Sequence, residues 1–157
     1  MPVAYYTLSF LPGLLSLVSI WLGGAWLLVP VLFVFGVVPA LELGLAGTTR
    51  NLDTADEARQ RASRWHDLLL VLVVPLQIGI VASLLVQVAW GGLTALEIFG
   101  AVACAGLGCG AYGINVAHEL GHRRSTHERF LAKTLLLSTL YMHFFICLLY
   151  TSPSPRD

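Results

Sequence analysis

The stretch ALEIFGAVACAGLGCGAYGINVAHELGHRR, residues 95–124, decides how this chain is read. Ala95 to Ala117 is an apolar run long enough for a membrane-crossing helix, which needs roughly 20 such residues. It ends in His118-Glu119-Leu120-Gly121-His122, followed at once by Arg123 and Arg124. On a helix that continues through the motif, His118 and His122 sit one turn apart on the same face. Asn115, three residues before His118, lies on that stripe too. Two imidazoles stacked in this way can share one metal ion.

Composition sets the class around this stretch. Hydrophobic residues make up 57% of the 157 and charged residues only 11%, with a mean hydropathy of +0.78. A soluble domain carries about 25% charged residues, so this chain has too few to cover a water-facing surface. It reads as an integral membrane protein in a lipid bilayer. The formal net charge of +0 and the absence of a basic patch exclude nucleic acid as a partner. Cys104, Cys109 and Cys147 have no metal or disulfide spacing and read as small buried residues.

The expected fold class is all-α: a polytopic transmembrane helical bundle of four spans plus a partial fifth, re-entrant or interfacial helix. Tyr5 to Leu22 is the first span, slightly short, with Pro12 in its first turn or at a kink. It lacks the Lys or Arg and the cleavage pattern of a signal peptide, so it is expected to be retained. Gly23-Gly24 makes a tight hairpin into the second span, Ala25 to Leu45. Pro30 and Pro39 are tolerable there, because neighbouring helices re-satisfy freed backbone groups. Glu42 near its end reads as a snorkelling interfacial acid. Thr48 to Asp67 is the first polar stretch, where Asp53 or Thr54 caps a short amphipathic helix through Trp65. His66, at the membrane boundary, reads as interfacial. Leu68 to Trp90 is the third span, Gly91-Gly92 turns the chain, and Ala95 to Ala117 is the fourth. Gly106 and Gly110 have the small-xxx-small spacing that lets helices approach closely.

Charge orients the bundle. Arg50, Arg59, Arg61 and Arg64 follow the second span, and Arg123, Arg124, Arg129 and Lys133 follow the fourth, while the two opposite turns carry no Lys or Arg. The positive-inside rule makes both basic stretches and the N-terminus cytoplasmic. Trp21, Trp26 and Trp90 then mark outer boundaries and Trp65 an inner one, as an aromatic belt does.

The motif has three readings. The bland one is a polar helix end at the interface, where Arg123 and Arg124 snorkel and the histidines only hydrogen-bond. The second is literal: His-Glu-x-x-His on a helix is the zinc-protease signature, with the glutamate as base. The extended form of that signature fails, because Ser125 and Glu128 stand where Gly and His are needed and His127 is one place off. An intramembrane zinc metalloprotease resembling the site-2 protease family remains, without that family's second Asn-Pro-Asp-Gly type element.

The third reading rests on a resemblance. Asn115 to Arg124, with Phe130-Leu131-Ala132-Lys133 and Tyr141-Met142-His143-Phe144-Phe145-Ile146 after it, resembles the first histidine box and sequel of bacterial alkane 1-monooxygenases, members of the membrane fatty-acid desaturase/hydroxylase superfamily. The likeness reaches back through Pro75 and through Pro39-Ala40-Leu41-Glu42, where relatives have Pro-x-x-Asp. Arg123 stands where many relatives have Lys. The resemblance implies a non-haem diiron site, two Fe held by histidines of three boxes on the cytoplasmic side of the bacterial inner membrane. It implies terminal hydroxylation of an n-alkane with dioxygen, and electrons from rubredoxin. By match to the box, His118 and His122 are metal ligands and Glu119 is a structural neighbour, not a zinc-type base. Asn115 and His143 are weaker candidates as cavity-lining residues. A hydroxylase or desaturase of the same superfamily acting on fatty acyl, xylene or terpenoid substrates is the alternative within it.

In such relatives the second box, Glu-His-Asn-x-Gly-His-His, follows directly on the counterpart of Ile146. Here residues 147–157 resemble no part of the family and read as a non-native, adapter-like tail, leaving 1–146 as the N-terminal part of the hydroxylase domain. Phe130 to Ile146 is too short to cross twice and is expected to be re-entrant or interfacial. With five histidines, two of them on ligand positions, the chain by itself is expected to be catalytically inactive.

Overall fold

The computed structural model describes residues 4–45, 64–123 and 125–151. The amphipathic helix expected at Asp53 to Trp65 falls largely outside them, as do Arg124 and residues 152–157. Every described element is helical. Ala4–Thr7 leads into α1, Leu8–Leu22, where Pro12 occupies the first turn of the regular helix Leu11–Leu22. Gly23 (φ +66°) and Gly24 (φ +55°) then reverse the chain in a conformation that L side chains avoid. In α2, Gly24–Gly44, the prolines punctuate the ladder. Pro30 and Pro39 each open a regular segment, and the wider π-turn Phe33–Val37 lies between them. A proline gives no N–H to the preceding turn, so the bonding period shifts around it.

The helix α3, Arg64–Trp90, accommodates Pro75 internally. Then α4 runs Ala95–Gly121, started by a capping box in which Thr94 and Glu97 bond reciprocally. It is interrupted only by a π-segment, Cys109–Ile114. Two shorter helices close the described chain: α5, Thr126–Ser138, and α6, His143–Thr151, which runs past the boundary expected at Ile146.

Among the described residues three helices are long and apolar enough to cross a bilayer: Gly24–Gly44, Asp67–Trp90 and Ala95–Gly121. Leu8–Leu22 is apolar but shorter. The spans are apolar inside and out. Val73 and Ile80 are buried, while Phe35 (70% exposed), Leu85 (64%) and Phe99 (73%) point outward. An outer face of that kind suits lipid, not water. Trp21, Trp26, Trp65 and Trp90 all lie exposed, and Trp21 donates its indole N–H to Ser83 Oγ at 3.0 Å.

Two polar ties fix which ends lie together. Glu97 Oε1 accepts from Gly24 N at 3.0 Å, so the Gly23-Gly24 turn and the start of α4 share one end of the bundle. Arg123 bonds Asp67, joining the end of α4 to the start of α3 at the other. Between them Tyr112 crosses to the N-terminal helix, donating to Ser9 O at 2.6 Å and accepting from Gly13 N at 2.9 Å.

The glycine stripe is not where its spacing suggests. Gly106 and Gly110 are exposed, and a Cβ on either meets nothing within 4 Å. The close approaches are made by Gly100 against Leu27, Gly108 against Gln77 and Ile80, and Gly113 against Thr139. The buried face of α4 lies two positions away from the expected stripe. The cysteines are likewise unequal. Cys104 is buried and donates to Leu27 O at 3.1 Å, Cys109 is half-buried, and Cys147, on the outer side of α6, is exposed.

Gly113→Ala puts a methyl 2.2 Å from Thr139 Cγ2, and such overpacking should cost about 2 kcal/mol of stability. Gly106→Ala and Gly110→Ala should be neutral or slightly stabilising, since alanine is the better helix former. Thermal unfolding of the three variants in detergent, followed by circular dichroism, compares them directly.

Candidate metal site

The continuity of α4 decides whether the histidines meet. Its regular ladder resumes at Asn115 after the π-segment and holds through Gly121, with His122 as the C-cap, still in helical conformation (φ −77°, ψ −14°). The rings stand edge to face, centroids 4.6 Å apart, and His122 Nε2 is 3.1 Å from His118 Nε2. As free imidazoles, one nitrogen donates and the other accepts across this gap. Both rings are exposed, while Ala117, Leu120 and Gly121 between them are buried against the bundle.

Ion pairs surround the end of the helix. Arg123 Nη1 donates to Asp67 Oδ1 and, at 2.7 Å, to Glu128 Oε1. Glu119 Oε1 lies 4.0 Å from Arg123 Nε, one turn back on the same helix. Burial disfavours the charge on Arg123, but the hydrogen bonds to Asp67 and Glu128 outweigh it and raise the guanidinium above its ordinary pKa. Arg123 therefore does not snorkel freely at the interface.

The chain then folds back beneath the pair. Leu140 sits at φ +56°, and Tyr141 N–H reaches back to Leu136 O at 2.9 Å, a reversal that normally uses glycine. It brings Phe144 to 5.7 Å from the His118 ring and Tyr141 to 5.6 Å from Phe144. His143 stacks on Tyr141, centroids 4.2 Å apart. Phe145 is buried, with Lys133 Nζ 5.1 Å and Arg129 Cζ 5.7 Å from its ring centroid.

Of the residues singled out by sequence, His118 and His122 are brought together. Asn115 is exposed at the start of the same helical segment. Glu119 is exposed and faces Arg123, and His143 is joined to Tyr141. Among the described residues no group of three His, Cys, Asp or Glu side chains is placed to hold a metal ion. Asp67, Glu128 and Phe144 also reach the motif. Their links to the motif join residues far apart in the chain or across a turn, where no local spacing announces them.

Comparison with known proteins is decisive at the level of relationship. No protein-family model matches the chain. Alkane 1-monooxygenase 1 of Alcanivorax borkumensis is 32% identical over 130 residues, 82% of this chain and 30% of the relative. Alkane 1-monooxygenase of Pseudomonas putida is 32% identical over 114 residues, 71% of this chain and 28% of the relative. That of Ectopseudomonas oleovorans is 30% identical over 149 residues, 90% of this chain and 36% of the relative. The chain is related to the alkane 1-monooxygenases.

It spans about a third of the length of these curated alkane 1-monooxygenases. Matches over 82% and 90% of the chain are too long to leave the histidine pair outside them.

Leu140→Gly should relieve the left-handed strain beside the pair, raising stability by about 1 kcal/mol. Leu140 is 87% exposed, so little packing is lost with its side chain. A higher unfolding temperature for the variant in detergent is the expected result.

Proposed function

We propose that this chain forms part of an enzyme that hydroxylates the terminal carbon of n-alkanes with dioxygen, and that His118 and His122 are two of its metal ligands. The observation that carries this is the 3.1 Å separation of the two Nε2 atoms in a relative of alkane 1-monooxygenases. Two imidazole nitrogens bound about 2.1 Å from one ion at nearly a right angle lie about 3.0 Å apart, so the pair fits two adjacent positions on a shared metal. Neutral imidazole suits iron. Iron, when bound, supplies the activation of dioxygen. Two nitrogens do not complete a diiron centre, and further histidines must complete it.

The chain's own residues support the site in distinct ways. The buried Ala117, Leu120 and Gly121 hold the histidine turn against the bundle. Phe144 packs on the His118 ring and limits its rotation. Glu119 directs its carboxylate toward Arg123, which supports a structural role and not that of a hydrolytic base. Asn115 and His143 flank the pair and line the approach to it.

An alkane dissolves in the bilayer and reaches the pair along α4, whose exposed Leu96, Phe99 and Val102 face the lipid and whose half-buried Ile114 and Val116 lie just before the histidines. The topology we favour has four spans, because the helical rod from Ala4 to Leu22 is about 28 Å long at 1.5 Å per residue, close to a bilayer core. The segment α5–α6 lies along the inner interface or re-enters it. The N-terminus and histidine box face the cytoplasm of a bacterial inner membrane, supported by Arg123, Arg129 and Lys133 at the histidine end. Rubredoxin is the electron donor to the complete enzyme. Residues 1–146 carry the enzymatic sequence and 147–157 a non-native tail.

A chimera decides the matter. Residues 1–146 replace the matching region of the Alcanivorax borkumensis relative, and iron content and 1-octanol formed from octane are measured. The chimera should bind iron and form 1-octanol. His118→Ala and His122→Ala should each bring 1-octanol to background and lower the iron content. Undiminished turnover in either variant refutes the assignment of that ligand. The 157-residue chain alone should show no turnover.

A further inference from the structure

The turn that follows the histidine pair is fastened by one side chain. Because the last described α-helical residue of α4 is Gly121, His122 stands where the backbone ladder thins. His122 N–H reaches His118 O at 3.3 Å, and Arg123 N–H reaches Leu120 O at 3.2 Å. Both are long for N–H···O bonds. Helix ends fray at such residues, and a frayed His122 does not keep its Nε2 at 3.1 Å from that of His118. What anchors the turn is Arg123, the next residue. Its Nη1 bridges Asp67 in the first turn of α3 and Glu128 in the first turn of α5, with Glu119 nearby on α4 itself. Three carboxylates thus converge on one guanidinium. Its positive charge offsets their mutual repulsion.

We propose that Arg123 is a positioning residue, whose bridge to Asp67 and Glu128 holds the His122 ring in register with His118 for a shared metal ion. This rests on the reading of the two histidines as ligands. Charge and positioning make opposite demands here. A guanidinium beside a cation site repels the cation, so if charge alone acted, removing it would tighten metal binding. If the bridge orients His122, removing it weakens binding. One nitrogen makes both bonds, so a lysine ammonium, with three donors, can replace it, whereas neutral glutamine cannot balance the carboxylates.

Copper(II), visible by electron paramagnetic resonance, is the probe, titrated into the 157-residue chain in detergent. The unsubstituted chain should bind one ion with two imidazole nitrogens in its spectrum, and His118→Ala should lose that signature. Arg123→Gln should bind about tenfold more weakly or worse, the usual penalty for removing a group that orients a ligand, and Arg123→Lys should bind like the unsubstituted chain. The unfolding temperature of metal-free Arg123→Gln should fall, since the carboxylates lose their partner, while Arg123→Lys should stay near the unsubstituted chain; copper binding is compared well below every midpoint. If Arg123→Gln binds as tightly or more tightly while His118→Ala loses the ion, the positioning role is wrong and the ligand pair stands. If the unsubstituted chain binds no copper, or His118→Ala binds it equally, both ideas fall. Should Arg123→Gln fail to fold, Asp67→Asn decides through its spectrum. A one-nitrogen species alongside the two-nitrogen one supports the bridge, and a pure two-nitrogen signature overturns it.

Discussion

A helix bordered by lipid must satisfy its backbone within itself, because hydrocarbon offers no partner for a stray N–H or C=O. The arrangement of this chain depends on α4 meeting that condition from the Thr94 cap to Gly121. Because the ladder survives to its last turn, two histidines four residues apart become two rings in contact. Because the ladder begins at a reciprocal cap whose acid also holds Gly24, the helix is anchored at both ends by polar contacts, and its middle by the Tyr112 hydrogen bonds together with close packing. Gly108 closes on Gln77 and Ile80, and Gly113 on Thr139, which lets α3 and α5 lie near its axis.

What could be read in the sequence was what local chemistry decides. The apolar runs, the double-glycine reversal at Gly23-Gly24 and the one-turn spacing of His118 and His122 each depend on a few neighbouring residues, and each appears in the structure. Gly106 and Gly110 misled because a small-residue spacing says that a helix can be approached closely, but not from which side. The partner's position settled that, and it chose Gly108 and Gly113. The helix Leu8–Leu22 ends where Gly23-Gly24 reverses the chain, and it stays shorter than the three helices long enough to cross a bilayer.

The site was legible in its spacing and illegible in its supports. Arg123 read as a basic residue at a membrane edge, yet its partners come from Asp67, 56 positions earlier, and from Glu128, across a turn. Ser125 and Glu128 have the spacing of a capping box, but the Ser125 side chain makes no cap bond and Glu128 turns to Arg123 instead. Local propensity lost here to a charge with fewer alternatives. The aromatic side of the site depends on Leu140 adopting a backbone conformation that its residue type gives no reason to expect.

The π-segment Cys109–Ile114 has one further consequence. A turn that takes in an additional residue offsets everything beyond it by about 100° around the helix axis relative to an unbroken α-helix. The azimuth of the imidazoles is therefore inherited from this widened coil, not from the apolar periodicity of Ala95–Gly108. Loss of one residue within it would swing both rings together toward a different neighbour, leaving their mutual spacing untouched and their surroundings exchanged.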